Sequence, residues 1–366
     1  MYAKLMALLA VVASWAALPV HAAGNGVVHV YNWSDYIAAD TLARFEQVTG
    51  IKVVYDVYDS NETLEAKLMA GRSGYDVVFP SAHPFAQRQI NAGLYRELDK
   101  SKLPNYKNLD PAVLKALEEI DPDNRHVVPY MWGTTGIGIN VAKVAQVLGE
   151  PLPAASWALI FDPPVAQKLA ACGISLLDDE QEGFGAALIY LGKNPNTTDP
   201  KDIEAAAAVL RQIRPYVRYF HNSQYINDLA NGDICVAQGY SGDILQARDR
   251  AREAGNQVEI RYLIPQESAL MWIDTMAIPA DAPHPDHAHA FIDFLMRPEI
   301  IAEISNAISY ANANAAATPL LDPAIRNDPG IYPPEEMKAR FWLGGPVTEG
   351  FHRLRTRTWT RIKTGR

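Results

Sequence analysis

The sequence predicts an α/β fold in two lobes. Short β-rich runs alternate with helix-forming segments from the start of the mature chain, and capping residues mark where those segments begin and end. The chain is also 366 residues long, beyond the roughly 250–300 residues at which a single hydrophobic core stops growing. VVHVY at 27–31 reads as the first strand. Asp40 is a good N-cap for a helix through Leu42, Phe45 and Val48, and Gly50 closes it. IKVVYDV at 51–57 is the second strand, Asn61 caps a helix through Leu64, Leu68 and Met69 that ends at Gly71, and YDVVF at 75–79 is the third strand. Strand–helix–strand–helix–strand at this spacing pairs the strands in parallel with right-handed crossovers. Further strands are expected near 136–140, 234–238 and 258–264, with helices near 201–214, 286–297 and 335–342. The run 271–278 is apolar and strand-like around a lone Asp274. No repeat or low-complexity stretch occurs, and the Pro-rich stretches at 194–200, 279–286 and 327–334 do not divide the chain cleanly.

Hydrophobic residues make up 48% of the chain, which fits a folded globular protein. The 42 acidic against 33 basic side chains give a formal charge of -9, which argues against nucleic acid as a partner, because phosphate binding needs Lys and Arg. Met1–Ala22 reads as a cleaved secretory signal: Lys4 is the charged start, Leu5–Val20 the apolar run, and Val20-His21-Ala22 the small-residue cleavage site. Its removal takes away one Lys and no acid, leaving a charge of about -10 on a soluble, exported protein. In an oxidising compartment Cys172 and Cys235 are expected to pair, the alternative being two buried thiols. Neither belongs to a C-x-x-C motif, so redox catalysis has no support.

Enzyme signatures fail. Gly239-Tyr240-Ser241-Gly242-Asp243 begins like a nucleophile elbow but lacks the final Gly. There is no H-E-x-x-H, no Walker P-loop and no G-x-G-x-x-G after a strand. His284, His287 and His289 in HPDHAH are read as the solvated first turn of a helix rather than as a metal site, and no cofactor is called for. The acidic run Asp178, Asp179, Glu180 and Glu182 reads by itself as a solvated loop. In open α/β sheets ligands sit beyond the carboxyl ends of strands, and two loops fill that position: Asn32-Trp33-Ser34-Asp35-Tyr36 and Pro80-Ser81-Ala82-His83.

The segment VYNWSDYIAADTLARFEQVTGIKVVYDVYDSNETLEAKLMAG resembles the start of the polyamine-binding (putrescine or spermidine) periplasmic proteins of ABC importers. The resemblance continues in order through YDVVFPSA, DPDNRHVVPYMWGTTGIGIN, RYFHNSQYINDLANGDICVAQGYSGD, YANANAAATPL and RTRTWTRIKTG, covering nearly the whole mature chain. It implies a two-lobed periplasmic binding protein of type II, with mixed sheets, hinge strands between the lobes and ligand trapped on closure. Lobe 1 is then 27–133 plus about 265–312, and lobe 2 about 137–260 plus 318–366. The family's structural disulfide fits Cys172 with Cys235. Its aromatic box resembles Trp33, Tyr36, Tyr240, Trp272 and Tyr310; its carboxylates match Asp243, Asp274 and Glu182; its small polar contacts match Ser34 and Ser81, with Asp35 beside the cleft.

The chemistry of these residue types agrees with that implication. A polyamine is an alkyl chain carrying ammonium groups, so it needs carboxylates at fixed separations and flat apolar faces, each cation–π contact contributing about 0.5–2 kcal/mol when desolvated. Asp274 inside MWIDTMAI would be costly to bury without a cationic partner. Tyr240 stands where the putrescine-binding branch often carries Trp, Trp272 where it carries Phe, and His83 where it carries Ser. Asp179 stands where that branch has a small apolar residue. Bulkier aromatics and an extra carboxylate favour spermidine over putrescine, although a spermidine site would be expected to carry Tyr at position 83. The implied partners are a polyamine and an inner-membrane ABC permease, with the protein itself a monomer. The alternatives are a receptor for agmatine or cadaverine that serves a sensor, or an exported hydrolase. The basic C-terminus, with six Lys/Arg and no acid from His352 to Arg366, is read as a closing helix with Leu354, Trp359 and Ile362 packed inward.

Overall fold

The computed structural model describes residues 26–345 and 348–365; the segment read as a signal, 1–22, lies outside them. No helix among the described residues is long and apolar enough to cross a membrane.

Strand β1 (Gly26–Trp33) points Val28 and Val30 into the core. It pairs in parallel with β2 (Ile51–Tyr58), in a register running from Gly26 opposite Ile51 to Trp33 opposite Tyr58, and with β3 (Val77–Val78) on its other side. The helix between β1 and β2 spans Thr41–Thr49 and stops at Gly50, whose φ of 72° is the left-handed cap that glycine adopts freely. The helix after β2 spans Asn61–Met69, but its cap is Ser60, whose Oγ accepts from Thr63 N at 3.2 Å. Asn61, expected as the cap, is instead turned inward, donating to Ser81 Oγ at 3.0 Å and accepting from Ser81 N at 3.1 Å.

The sheet continues through β4 (Val127–Asn140), β5 (Ile174–Leu176), β6 (Val217–Phe220), β7 (Val236–Tyr240), β8 (Ile260–Leu263), β9 (Leu270–Ala277), β10 (Ala311–Asn312) and β11 (Trp342–Leu343), in the order β2-β1-β3-β9-β4-β7-β5-β6, with β8 and β10 also on β4 and β11 on β9. Parallel and antiparallel pairs are mixed, as the resemblance implies. The strand expected near 136–140 is the end of β4, which runs for 14 residues and is buried throughout. Its first half escapes a sequence reading because Pro129 lacks an N–H; a register shift between Pro129 and Trp132 accommodates it.

β4 ties the two halves of the molecule together. Its Val127, Val128, Tyr130 and Met131 lie in a core with Val28, Phe45, Phe79, Ile273 and Phe291. Its Ile137 and Ile139 lie in a second core with Ile174, Phe184, Leu210, Val236 and Trp359. A smaller cluster of Tyr225, Ile226, Leu229, Ile244 and Ile260 adjoins the second. Leu321, Ile325 and Ile331, assigned to lobe 2 on resemblance, pack in the first core, so the return of the chain to the second core comes later than expected.

The C-terminal helix, Glu349–Lys363, is capped by Thr348 and buries Phe351, Trp359 and Ile362. Two segments read as exposed are not. The acidic run enters the helix Glu180–Tyr190, with Glu180 buried against His352 at 2.9 Å and Asp178 paired to Lys363 at 2.5 Å. In HPDHAH, His289 is buried, its Nδ1 on Pro285 O at 2.6 Å and its Nε2 accepting from Asp99 N at 2.9 Å. In both cases charged or polar side chains find partners from distant segments, which no local pattern reveals.

Cys172 and Cys235 form the expected disulfide, with Cα atoms 5.5 Å apart. They precede the neighbouring parallel strands β5 and β7, where Ile174 lies opposite Val236. Closing a loop of 63 residues removes entropy from the unfolded chain and so stabilises the fold by about 4 kcal/mol. The double substitution Cys172→Ser/Cys235→Ser is therefore expected to lower unfolding stability by about that amount, read from urea denaturation of the two proteins without reductant. Identical midpoints would show that the bridge constrains nothing.

Candidate functional site

One cavity lies between the first core and the second. It is lined by the loops after β1 and β3, the start of β9, the N-termini of the helices Glu180–Tyr190 and Ser241–Ala254, and Tyr310. Trp33, Ser34, Tyr36, Ser81, Asp179, Glu182, Tyr240, Asp243, Trp272, Asp274 and Tyr310 all line it.

Asp274 reaches the cavity because β9 runs antiparallel to β3 and a bridge sets it opposite Ser81. Its Oδ1 accepts from Ser81 Oγ at 2.6 Å and its Oδ2 from Tyr36 OH at 2.9 Å. Desolvation nevertheless dominates these two hydrogen bonds and pushes its pKa up to about 7. Asp243 sits in the first turn of Ser241–Ala254, with Oδ1 accepting from Tyr310 OH at 2.6 Å and Oδ2 from Tyr225 OH at 2.7 Å. Its pKa is pushed up to about 6, again mainly by burial. Tyr36 and Tyr310, each holding one of these acids, pack edge to face with ring centroids 5.0 Å apart.

Glu182 accepts from Thr135 Oγ1 at 2.9 Å; burial first and neighbouring Asp179 second raise its pKa well above the ordinary carboxylate value. Asp179 caps its own helix, its Oδ1 accepting from Gln181 N at 2.8 Å and Glu182 N at 3.1 Å, and burial raises its pKa too. Trp272 donates from Nε1 to Thr135 Oγ1 at 3.2 Å and packs edge to face on Tyr240 at 5.7 Å and Tyr310 at 5.6 Å. It lies so close to β4 that a Cβ at position 133 would meet its ring at 2.8 Å, which explains Gly133. Trp33 is fixed by its Nε1 donating to Phe79 O at 2.8 Å and by Tyr58 at 4.8 Å.

Among the described residues no Lys, Arg or His lies within 4.0 Å of the carboxylates of Asp243, Asp274, Glu182 or Asp179. Nearby cations are engaged elsewhere: Arg250 with Asp35 at 2.7 Å, and Arg355 and His352 with Glu180. His83 lies on the wall, and burial lowers its pKa below the ordinary histidine value. Among the described residues the site is a set of buried carboxylates among aromatic rings with no protein cation in contact with them.

Asp35 is the exception among the expected residues. The backbone turns at positive φ (54°) there, leaving the side chain exposed and directed to Arg250 rather than into the cavity. The sequence reading also missed Tyr58, Asp59, Asn61, Gln181, Asn222 and Ser223 on the wall and Tyr225 behind Asp243. Tyr58 and Asp59 were findable: they end a strand parallel to β1 in register with Trp33, and the carboxyl-end rule applies to both strands equally. Tyr225 left no local signal.

Two cores joined by a shared strand, with a polar–aromatic cavity between them, are the architecture of a two-lobed solute-binding protein. The chain belongs to the bacterial extracellular solute-binding proteins, whose family model matches residues 40–333. It is similar to the putrescine-binding periplasmic protein SpuD of Pseudomonas aeruginosa, 56% identical over 345 residues covering 94% of each chain. It is 54% identical over 346 residues to the putrescine-binding periplasmic protein PotF of Escherichia coli, covering 94% of this chain and 93% of that one. Among solved structures it resembles one from Listeria monocytogenes named as a candidate spermidine/putrescine ABC transporter, with TM-score 0.83, 30% identity, and 93% of this chain and 100% of that chain covered.

The raised carboxylate pKa values set a pH dependence. Free Asp has a pKa near 4 in the unfolded chain, so between about 4 and 7 the native protein holds protons that the unfolded chain has lost. Ligand-free stability therefore falls as pH rises through that window and recovers as it is lowered. Scanning calorimetry of the ligand-free protein is expected to show this slope flattened in Asp274→Asn, whose side chain does not titrate. An unchanged slope would place the titration elsewhere.

Proposed function

We propose that this protein is a periplasmic receptor that captures a polyamine between its lobes and delivers it to the permease of an ABC importer. The observation that carries this reading is the set of buried acids that, among the described residues, have no protein cation within 4.0 Å. Leaving such charges unpaired is costly, and a di- or tri-ammonium ligand supplies the missing partners. The aromatic faces of Trp33, Tyr36, Tyr240, Trp272 and Tyr310 suit the alkyl segments and the ammonium groups. The reading takes lobe 1 as 27–133 plus about 265–332, extended from 312 by the packing of Ile331, and lobe 2 as about 137–260 plus the C-terminal helix. A ligand touching acids of both lobes favours the closed arrangement, and that difference in affinity drives closure.

Putrescine is the ligand this reading favours. The case for spermidine rested on Trp272, Tyr240 and Asp179, and the names of the relatives above half identity lend it no support, since both print putrescine. One oxygen of Asp179 is also engaged by two backbone N–H groups of its helix, which weakens its claim to a third amine.

Asp274→Asn is expected to weaken putrescine binding by about 3–5 kcal/mol, the cost of breaking a buried charge pair. Isothermal titration calorimetry measures it, and unchanged affinity removes Asp274 from the ligand contacts. A panel of putrescine, spermidine, agmatine and cadaverine on the wild-type protein ranks the class, and the absence of binding by all four overturns the reading. Trp272→Phe is expected to reduce spermidine affinity more than putrescine affinity, because the larger face covers the longer chain. Equal losses would take Trp272 out of selectivity.

A further inference from the structure

Away from the cleft, at the start of β1, a second cluster has a different chemistry. Asp76 has no exposed surface. Two backbone groups fix its carboxylate: His29 N donates to Oδ2 at 2.8 Å and His284 N to Oδ1 at 2.5 Å. The same Oδ2 is faced by two imidazole nitrogens, Nδ1 of His29 at 3.3 Å and Nδ1 of His284 at 3.1 Å. All three candidate ligand atoms lie within 4.8 Å of one another. Among the described residues no Lys or Arg lies within 4.0 Å of this carboxylate, and the two imidazoles are the basic side chains that face it.

We propose that His29, Asp76 and His284 form a binding site for a borderline divalent transition-metal ion, Zn²⁺ being the representative case. A carboxylate oxygen offers about two lone pairs. One of those on Oδ2 is engaged by His29 N, so two imidazole N–H groups would compete for the other. One ion at the centre of the three atoms removes that competition, with both rings binding as neutral ligands through Nδ1. Tetrahedral coordination with bonds of about 2.0–2.1 Å puts neighbouring ligand atoms about 3.4 Å apart, close to the two Nδ1···Oδ2 separations. Two imidazoles and one carboxylate are the donors such ions take, and calcium or magnesium would prefer an all-oxygen set. The imidazoles are 31% and 35% exposed, leaving a side open to water as fourth ligand.

The surroundings hold the rings for this task. His287 donates from Nδ1 to Val27 O at 2.7 Å, and its ring stacks on His284 at 5.6 Å with an interplanar angle of 10°. His29 also stacks on His284, at 5.7 Å. The HPDHAH segment therefore supplies one ligand, not three: His289 is engaged within its own helix and by Asp99, and the other two ligands come from positions 47 apart in β1 and the loop before β3.

The test uses the untagged mature protein stripped of metal. Calorimetric titration with Zn²⁺ is expected to give one ion per chain. His29→Gln and His284→Gln are each expected to weaken it at least tenfold, while His126→Gln, whose ring faces Asp121 alone, leaves it unchanged. Co²⁺ added to the wild-type protein is expected to give the intense visible bands of a four-coordinate site, a readout that needs no variant to fold. Failure of the wild-type protein to bind saturably at one ion per chain, a six-coordinate Co²⁺ spectrum, or wild-type affinity in a folded His284→Gln protein overturns the proposal.

Discussion

Acids kept out of water with no cation of the chain's own are the constraint around which this molecule is arranged. Asp243 and Asp274 are buried, and desolvation outweighs the tyrosine and serine hydroxyls that hold them, leaving their pKa values near 6 and 7. A fold built only for stability would have brought an Arg or Lys to them or replaced them with apolar residues. Arg250 and Arg355 are near enough to be candidates, yet each is turned to a different acid. The unmet charge is what the cavity offers a ligand.

The strand that joins the lobes also supports two walls of that cavity from behind. β4 passes from the first core to the second at Gly133–Gly136, and Thr135 lies in that passage, pairing with Leu270 of β9 on one side and Tyr240 of β7 on the other. Its hydroxyl donates to Glu182 and accepts from Trp272. One residue thus holds an acid of the second lobe and an aromatic wall of the first. The strand shared by the two cores and the geometry of the site are therefore linked through one side chain.

The same principle, a buried carboxylate awaiting a partner, recurs at Asp76 with a different solution. There two imidazoles face the acid where the cleft has none, and the donors suit a metal ion rather than an ammonium group. Backbone N–H groups position Asp76, whereas side-chain hydroxyls position Asp243 and Asp274. Hydroxyls can rotate to suit an incoming ligand, while backbone donors fix the carboxylate in one orientation.

The sequence by itself determined several of the elements and named eleven residues that line the cavity. Period and glycine placement located β1, β2 and the helix Thr41–Thr49, because those signals act over a few residues, although Asp40 makes no capping hydrogen bond there. Long motifs in order located eleven of the cavity residues, since they carry the pattern of a whole family. Tertiary structure alone decided the rest. It extended β4 across Pro129 by a register shift, moved the helix cap from Asn61 to Ser60 so that Asn61 could hold Ser81, turned Asp35 out to Arg250, and put Tyr225 behind Asp243. It also brought His29, Asp76 and His284 together. Each of these depends on a partner far along the chain, and a pairing energy between distant residues leaves no trace in the local pattern of either one.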